Sequence, residues 1–340
     1  MQTTLPGWLS GHEDDNQLPD FPAHADTQRL LCRLDQLGLI EVTGDDSRSF
    51  LQNMLSNDVR QVSMDSAQLT SLCTPKGRML AILVALQRYD KLLLQLPKDN
   101  LLPTIKRLQL FVLRSKVTLS DVSDQLHCLG LIGPSSDELL DHILGNAPRN
   151  RFGSLTRDGI TVIRHPGDTP RYQLICDDAS LEMLWPKLQS QVIPARGTAW
   201  ELTEIQAGIP SVYESSREHF VPQWANLDLL DGVSFKKGCY PGQEVVARLH
   251  YLGKPNRRML AGRVALETPP PPGMTLHVND EGQQEAGEIV RASHHPDGDI
   301  AFLAVMRLSM VKKPIQIGGQ PVWLDTSSLP PETEDTGAPH

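Results

Sequence analysis

Cysteine is sparse in this 340-residue chain. The five (Cys32, Cys73, Cys128, Cys176, Cys239) lie tens of residues apart, with no C-x-x-C pair. An odd, dispersed set argues against a disulfide framework and suits a reducing compartment. It argues equally against a closed zinc or iron–sulfur site built by this chain alone, because such sites gather their ligands at short spacing. No H-x-x-x-H or H-E-x-x-H pattern occurs, and no metal ligand is assigned. Aromatics are only 5% of the residues. The longest apolar run, Met79 to Leu86, is too short to span a bilayer. The first residues lack the basic region and apolar core of a signal peptide. A cytoplasmic location away from membranes is therefore expected. Dinucleotide, P-loop and α/β-hydrolase fingerprints are missing too, which leaves those readings without support.

Residues 1–28 contain no lysine or arginine, and neither do residues 326–340. Together these ends hold eight acids, so without them the net charge moves from −9 to −1. The ends read as a disordered acidic arm (1–28) and a disordered tail (326–340). The nearly neutral body makes any local charge excess informative. Between Lys236 and Arg263 there are seven cations against one acid, Glu244. That excess is either a solvated face or a docking surface for an anionic partner. Few aromatics interleave with it, so stable direct nucleic-acid binding is not expected.

Along the body, strand-like runs at Leu39–Val42, Gln68–Cys73, Met79–Leu86 and Lys91–Leu96 surround helical patterns at residues 47–55 and 101–111. Strands followed by a crossing helix indicate an α+β lobe over residues 29–120. A second α+β lobe is expected over 121–250. It includes a helix from Thr198 to Ala207 that stops at Gly208, with Pro210 beyond it. Short strand candidates on both sides of Pro269–Pro272 indicate a small C-terminal β-barrel over 251–325.

One stretch concentrates the chemistry: Lys237-Gly238-Cys239-Tyr240-Pro241-Gly242-Gln243-Glu244. Its two glycines allow backbone shapes that other residues avoid, so Cys239 is expected on a sharp turn ahead of a helix starting at Gln243. Glu244 would sit in the first turn, where the helix dipole favours a carboxylate, with Arg248 in ion-pair reach. A thiol beside two lysines and near a helix N-terminus has its thiolate favoured. The alternative is an ordinary cysteine on a structural turn. Trp200 is read either as core or as a stacking surface for a flat ligand.

This stretch closely resembles the K-G-C-[YF]-x-G-Q-E signature of the folate-binding YgfZ family, which is related to the aminomethyltransferase (T-protein) of the glycine cleavage system. The likeness takes in Val42-Thr43-Gly44-Asp45, Cys73-Thr74-Pro75-Lys76-Gly77-Arg78 and Ala207-Gly208-Ile209-Pro210, and covers about residues 30–325. It implies a three-lobed, aminomethyltransferase-like α+β fold, with tetrahydrofolate or a derivative in a central hole. It also implies assistance to iron–sulfur cluster assembly or repair in client or carrier proteins, including tRNA-modifying enzymes. Cys239 then matches the signature cysteine, and Trp200 an aromatic position of the folate ring. Nearby cations, Arg248 among them, are expected to meet the folate glutamates. A second family aromatic is replaced by Leu37. Where T-proteins carry an Asp in this motif the chain has Cys239, which makes an accessory role more fitting than ordinary aminomethyl transfer. A folate-dependent one-carbon transferase with Cys239 as nucleophile is the alternative.

Overall fold

The computed structural model describes residues 5–10, 17–22, 27–279 and 284–327. In chain order the strands are β1 Leu30–Arg33, β2 Leu37–Thr43, β3 Gln68–Cys73, β4 Met79–Arg88, β5 Lys91–Pro97 and β6 Thr118–Asp121. They continue as β7 His127–Ile132, β8 Ser154–Arg157, β9 Ile160–Arg164, β10 Arg171–Cys176 and β11 Ile193–Ala195. The last six are β12 Arg257–Val264, β13 Thr275–Val278, β14 Glu285–His294, β15 Ile300–Arg307, β16 Ile315–Ile317 and β17 Gln320–Leu324. The helices are α1 Gly7–Ser10, α2 Ser47–Met54, α3 Leu101–Gln109, α4 Ser136–Leu144, α5 Asp178–Leu188, α6 Gly197–Gln206 and α7 Gln243–Leu252.

These elements form three bodies. An antiparallel five-stranded sheet runs β3-β4-β5-β2-β6. One of its faces packs on α2 and α3 through Phe50, Leu51, Leu101 and Leu108. A six-stranded sheet runs β11-β1-β7-β10-β9-β8 and is covered by α4 and α5. A closed barrel runs β12-β15-β14-β13-β16-β17 around its own core, which includes Phe302 and Met306. The other faces of both sheets meet α6 and the barrel in one shared core, which includes Leu39, Leu93, Ile175, Trp200 and Leu303. Burial on both faces is why β4 and β15 read as unbroken apolar runs instead of alternating ones.

Two expectations are corrected. The first lobe, expected over 29–120, does not keep its first strand: Leu30–Arg33 lies in the six-stranded sheet, antiparallel to β7 and parallel to β11. Secondly, the described part of the acidic arm is docked. Leu9 is fully buried, and Trp8 meets Trp185 of α5 edge-on at 6.1 Å. Asp20 pairs with Arg196 at 3.2 Å. Two apolar residues on a four-residue helix anchor the segment, too few to register as a period in the sequence. Residues 328–340 of the expected tail lie outside the described residues. Among the described residues no helix is long and apolar enough to cross a membrane.

Candidate functional site

The signature loop is fastened at three points. Lys237 is buried, and its ammonium donates to the carbonyl oxygens of Gln52 (2.5 Å), Leu55 (2.5 Å) and Asn57 (3.0 Å) at the C-terminal end of α2. A helix end leaves carbonyls without intrahelical partners, and a cation there also meets the negative end of the dipole. Burial pushes Lys237 down to about 8, from an ordinary 10.5. Asn57 donates in turn to the Asp231 carbonyl at 2.6 Å, so the loop and the end of α2 are laced together. The second fastening is Tyr240, buried under the Lys237 ammonium at 5.2 Å from its ring centre, its hydroxyl pKa raised by burial.

Gly242 is the third. Its φ is +83°, and a Cβ there would stand 2.4 Å from the Thr74 carbonyl oxygen and 2.8 Å from the Gly77 nitrogen. Only glycine fits both the left-handed backbone and this close approach to the turn between β3 and β4. Gly238 differs: it has no positive φ, and a Cβ there would meet nothing within 4 Å. Of the two glycines expected to use backbone shapes that other residues avoid, only Gly242 does so.

Between these anchors Cys239 is exposed, while the other four cysteines are buried. Burial pushes Cys73, Cys128 and Cys176 up to about 12, so they are poor nucleophiles. Lys237 is spent on backbone carbonyls and is not the cation beside the thiol that the sequence suggests. Gln243 opens α7, with its side chain 3.5 Å from the Lys237 carbonyl. Glu244 and Arg248 are both exposed and no ion pair joins them, contrary to expectation. Among the described residues no group of three His, Cys, Asp or Glu side chains could hold a metal ion.

A cavity opens next to the loop. Its outer chamber, about 620 Å³, is lined by Asn57, Gln68, Phe152 and Val233, with Lys236 and Arg151 contributing cations. At its mouth Phe235 and His250 stack at 3.7 Å, and Tyr251 packs edge-on against His250 at 4.8 Å. Leu69 and Phe152 also line a narrow inner chamber of about 50 Å³. That chamber is walled by Leu37, Gln95, His165, Trp200 and Glu204. Glu201 and Arg291 line both it and a third hollow of about 450 Å³ beneath Pro269–Pro272. The three spaces follow one another between the lobes.

The inner chamber carries a buried charge network that the sequence did not announce. Arg171 of β10 donates to Glu204 at 2.6 Å, and Arg291 of β14 donates to Glu204 at 3.1 Å. Arg291 also grips Glu201 with two bonds of 2.6 Å. Burial works to raise the Glu204 pKa, but the two guanidiniums outweigh it and hold the carboxyl well below the usual range. Gln173 of β10 donates to Gln95 of β5, joining the two sheets. His165 Nδ1 and Arg171 Nη2 are buried without a hydrogen-bond partner, Nδ1 being 3.6 Å from Glu204. The available signal was an arginine beside strongly apolar residues in each of two strands, Arg171 before Tyr172 and Arg291 after Ile289 and Val290.

Against this geometry, the GCVT N-terminal domain family matches residues 24–166. The tRNA-modifying protein YgfZ of Colwellia psychrerythraea is 28% identical over 292 residues, covering 85% of this chain and 88% of that protein. The chain is a homologue of the YgfZ proteins. The Escherichia coli YgfZ is 29% identical over 284 residues, covering 82% of this chain and 86% of its own length. The crystal structure of glycine cleavage system aminomethyltransferase T from Bartonella henselae superposes with a TM-score of 0.69 at 14% identity, covering 88% and 86% of the two chains. The fold is thus aminomethyltransferase-like, as the YgfZ resemblance implied.

The site residues expected from YgfZ separate into two groups. Trp200 and Leu37 come together in the inner chamber, but Trp200 is only 2% exposed. Its ring is held by Arg171 at 5.1 Å and by His165 edge-on at 5.1 Å. Arg248 does not line any of the three spaces; Lys236 and Arg151 line the outer chamber, Arg291 the inner chamber and the third hollow, and Arg196 the third hollow. Cys239 is not a lining residue either, although Lys236, three positions before it, is.

Proposed function

We propose that this chain holds a reduced folate in the central cavity and that Cys239 helps client enzymes, tRNA-modifying ones included, to gain or regain an iron–sulfur cluster. The observation that carries the reading is an exposed thiol on a triply anchored loop, beside a large cavity in an aminomethyltransferase-like fold. The outer chamber is within the range of a ligand the size of folate. The inner chamber is smaller than a pterin ring, so seating one there requires the Leu37 and Trp200 side chains to part. Lys236 and Arg151 would face the glutamate carboxylates, and His165 Nδ1 and Arg171 Nη2 offer unused hydrogen-bonding capacity at the inner end. A reduced folate supplies one-carbon carriage and a reducing pterin. The chain's own residues position it and keep water from its inner end.

Cys239 would act as a transient ligand to iron of the client's cluster, losing its thiol proton to solvent. A single thiolate cannot hold a cluster alone, so the role is one of assistance to a partner in a reducing, cytoplasmic setting. One-carbon transfer with Cys239 as nucleophile fits less well, since Cys239 does not line the cavity where the folate would sit. The test is a Cys239→Ala chain expressed in cells lacking the wild type, with the activity of a cluster-dependent tRNA methylthiolating enzyme as readout. Full activity in those cells overturns the reading. A tetrahydrofolate titration of purified protein, followed by tryptophan fluorescence with and without Trp200→Phe, tests the folate half separately.

A further inference from the structure

The outward side of α7 is dressed for contact. Only Val246 of this helix is buried. Val245 (40% exposed) and Leu252 (84% exposed) are seven residues apart and fall on one stripe, with Arg248 between them. Exposed aliphatic side chains in this arrangement present i, i+3, i+7 anchors to a partner. The stripe continues onto the turn between β3 and β4, because Gly77 packs against Val245 and places exposed Lys76 beside the helix. On the other flank, the Gln223 side chain donates to the Val246 carbonyl at 2.6 Å, which ties the residue before Trp224 to α7. Two guanidiniums, Arg78 and Arg257, each lie 4.8 Å from the centre of the Trp224 ring.

The charge of this face is unmatched. Among the described residues, none of Lys76, Arg78, Arg248 and Arg257 has an ion-pair partner, and Glu244 is the one acid on the outward side of α7. Burial lowers the Arg257 pKa, with Arg307 and Arg78 adding to the shift and Glu285 and Glu288 opposing it. Tryptophan and arginine are the residues that dominate protein–protein hot spots. A phosphate backbone would use the cations but leave Val245 and Leu252 without a role.

We infer that this face is the docking surface for a protein partner presenting an acidic segment that carries apolar side chains, seated so that its sulfur or metal centre meets Cys239. The inference deepens the proposed role of Cys239 on a client and rests on it for biological meaning, but its physical test is independent. Because Cys239 is the sole exposed cysteine among the described residues, thiol–disulfide exchange reads the docking directly.

The probes are 12-residue peptides, each with one cysteine held as a mixed disulfide with thionitrobenzoate. The Cys239 thiolate attacks the peptide sulfur, a new disulfide forms, and coloured thionitrobenzoate leaves as the thiolate. The full-length chain is mixed with a Glu/Leu, a Lys/Leu and a Glu/Ser peptide at low and at 300 mM salt. The Glu/Leu peptide should react at least about tenfold faster than the Lys/Leu peptide, a difference of about 1.4 kcal/mol, and faster than Glu/Ser. Salt and the Lys76→Glu/Arg248→Glu double variant should remove the charge advantage, and Leu252→Ser the apolar one. A small neutral disulfide reagent should react equally with all variants, showing the thiol still exposed. Equal rates for the Glu/Leu and Lys/Leu peptides overturn the inference, as does an unaffected double variant. So does protection of Cys239 by a 12-nucleotide RNA that the Glu/Leu peptide cannot displace, or by self-association of the chain. None of these results depends on whether Cys239→Ala cells keep their cluster enzymes active.

Discussion

Replacing each signature glycine by alanine separates the two positions sharply. At Gly242 the alanine must adopt φ +83°, at about 1–2 kcal/mol. Its Cβ also meets backbone atoms of Thr74 and Gly77 at 2.4–2.8 Å, which no side-chain rotation relieves. Overpacking of that kind adds about 1–3 kcal/mol, for a total of about 2–5 kcal/mol. At Gly238 the added methyl meets nothing within 4 Å and φ is not in the left-handed region. There the expected change is within about 0.5 kcal/mol, or slightly stabilising through a less flexible unfolded chain. Thermal unfolding should show Gly242→Ala lower by about 3–7 °C and Gly238→Ala close to wild type. The rate at which a small disulfide reagent modifies Cys239 should change for the first variant, as the loop leaves the β3–β4 turn, and stay constant for the second. Equal stability of the two variants would refute the claim that Gly242 locks the loop to the first sheet.

Lys237→Met should destabilise by about 3 kcal/mol, since charged hydrogen bonds contribute roughly 1.5–3 kcal/mol each and do not add fully. Because burial lowers Lys237 to about 8 from 10.5, the unfolded chain binds the proton more readily between those values. Wild-type stability relative to Lys237→Met should therefore rise as pH increases through that window, read as the difference in urea midpoints. Glu204→Gln leaves Arg171 buried without its counter-charge and should cost about 3–5 kcal/mol. The Glu204 pKa is depressed, so its stabilisation is present above the ordinary carboxylate value and lost as pH falls toward the folded one. Acid unfolding of Glu204→Gln should consequently be flatter below pH 5, by circular dichroism. Gly130→Ala puts a methyl 2.4 Å from the Trp200 ring; a cost of about 1–3 kcal/mol and a shifted tryptophan emission are expected.

What the sequence made legible was whatever is local. The hairpin around Pro75-Lys76-Gly77, the helix that stops at Gly208 and the short strands of the barrel all follow from turn chemistry and periodicity over a few residues. The loop that carries Cys239 ahead of α7 was legible for the same reason; the exposure of its thiol was not. What stayed hidden is long-range. Leu30–Arg33 finds its partners about 100 and 160 residues away, and no local pattern says which sheet a four-residue strand joins. The partners of Lys237 lie 180 to 185 residues upstream, so a lysine next to a cysteine in sequence read as its electrostatic neighbour when it is a helix cap. Glu204, Arg171 and Arg291 come from three separate elements, and only their assembly reveals that Trp200 is packed into a charged wall. Arg248 looked like a ligand cation because its helix follows the signature; the turn at Gly242 sends its side chain outward.

The way Lys237, Tyr240 and Gly242 pin the loop has a geometric consequence. Lys237 before the sulfur and Tyr240 and Gly242 after it are held by a helix end and a neighbouring turn, so Cys239 has little reach beyond its own side chain and the Gly238 backbone. It behaves as a fixed port, unlike a swinging arm that ferries cargo between stations. Any macromolecule served there has to bring its recipient atoms to within a bond length of one stationary point. Encounter is then governed by how well two rigid outlines align.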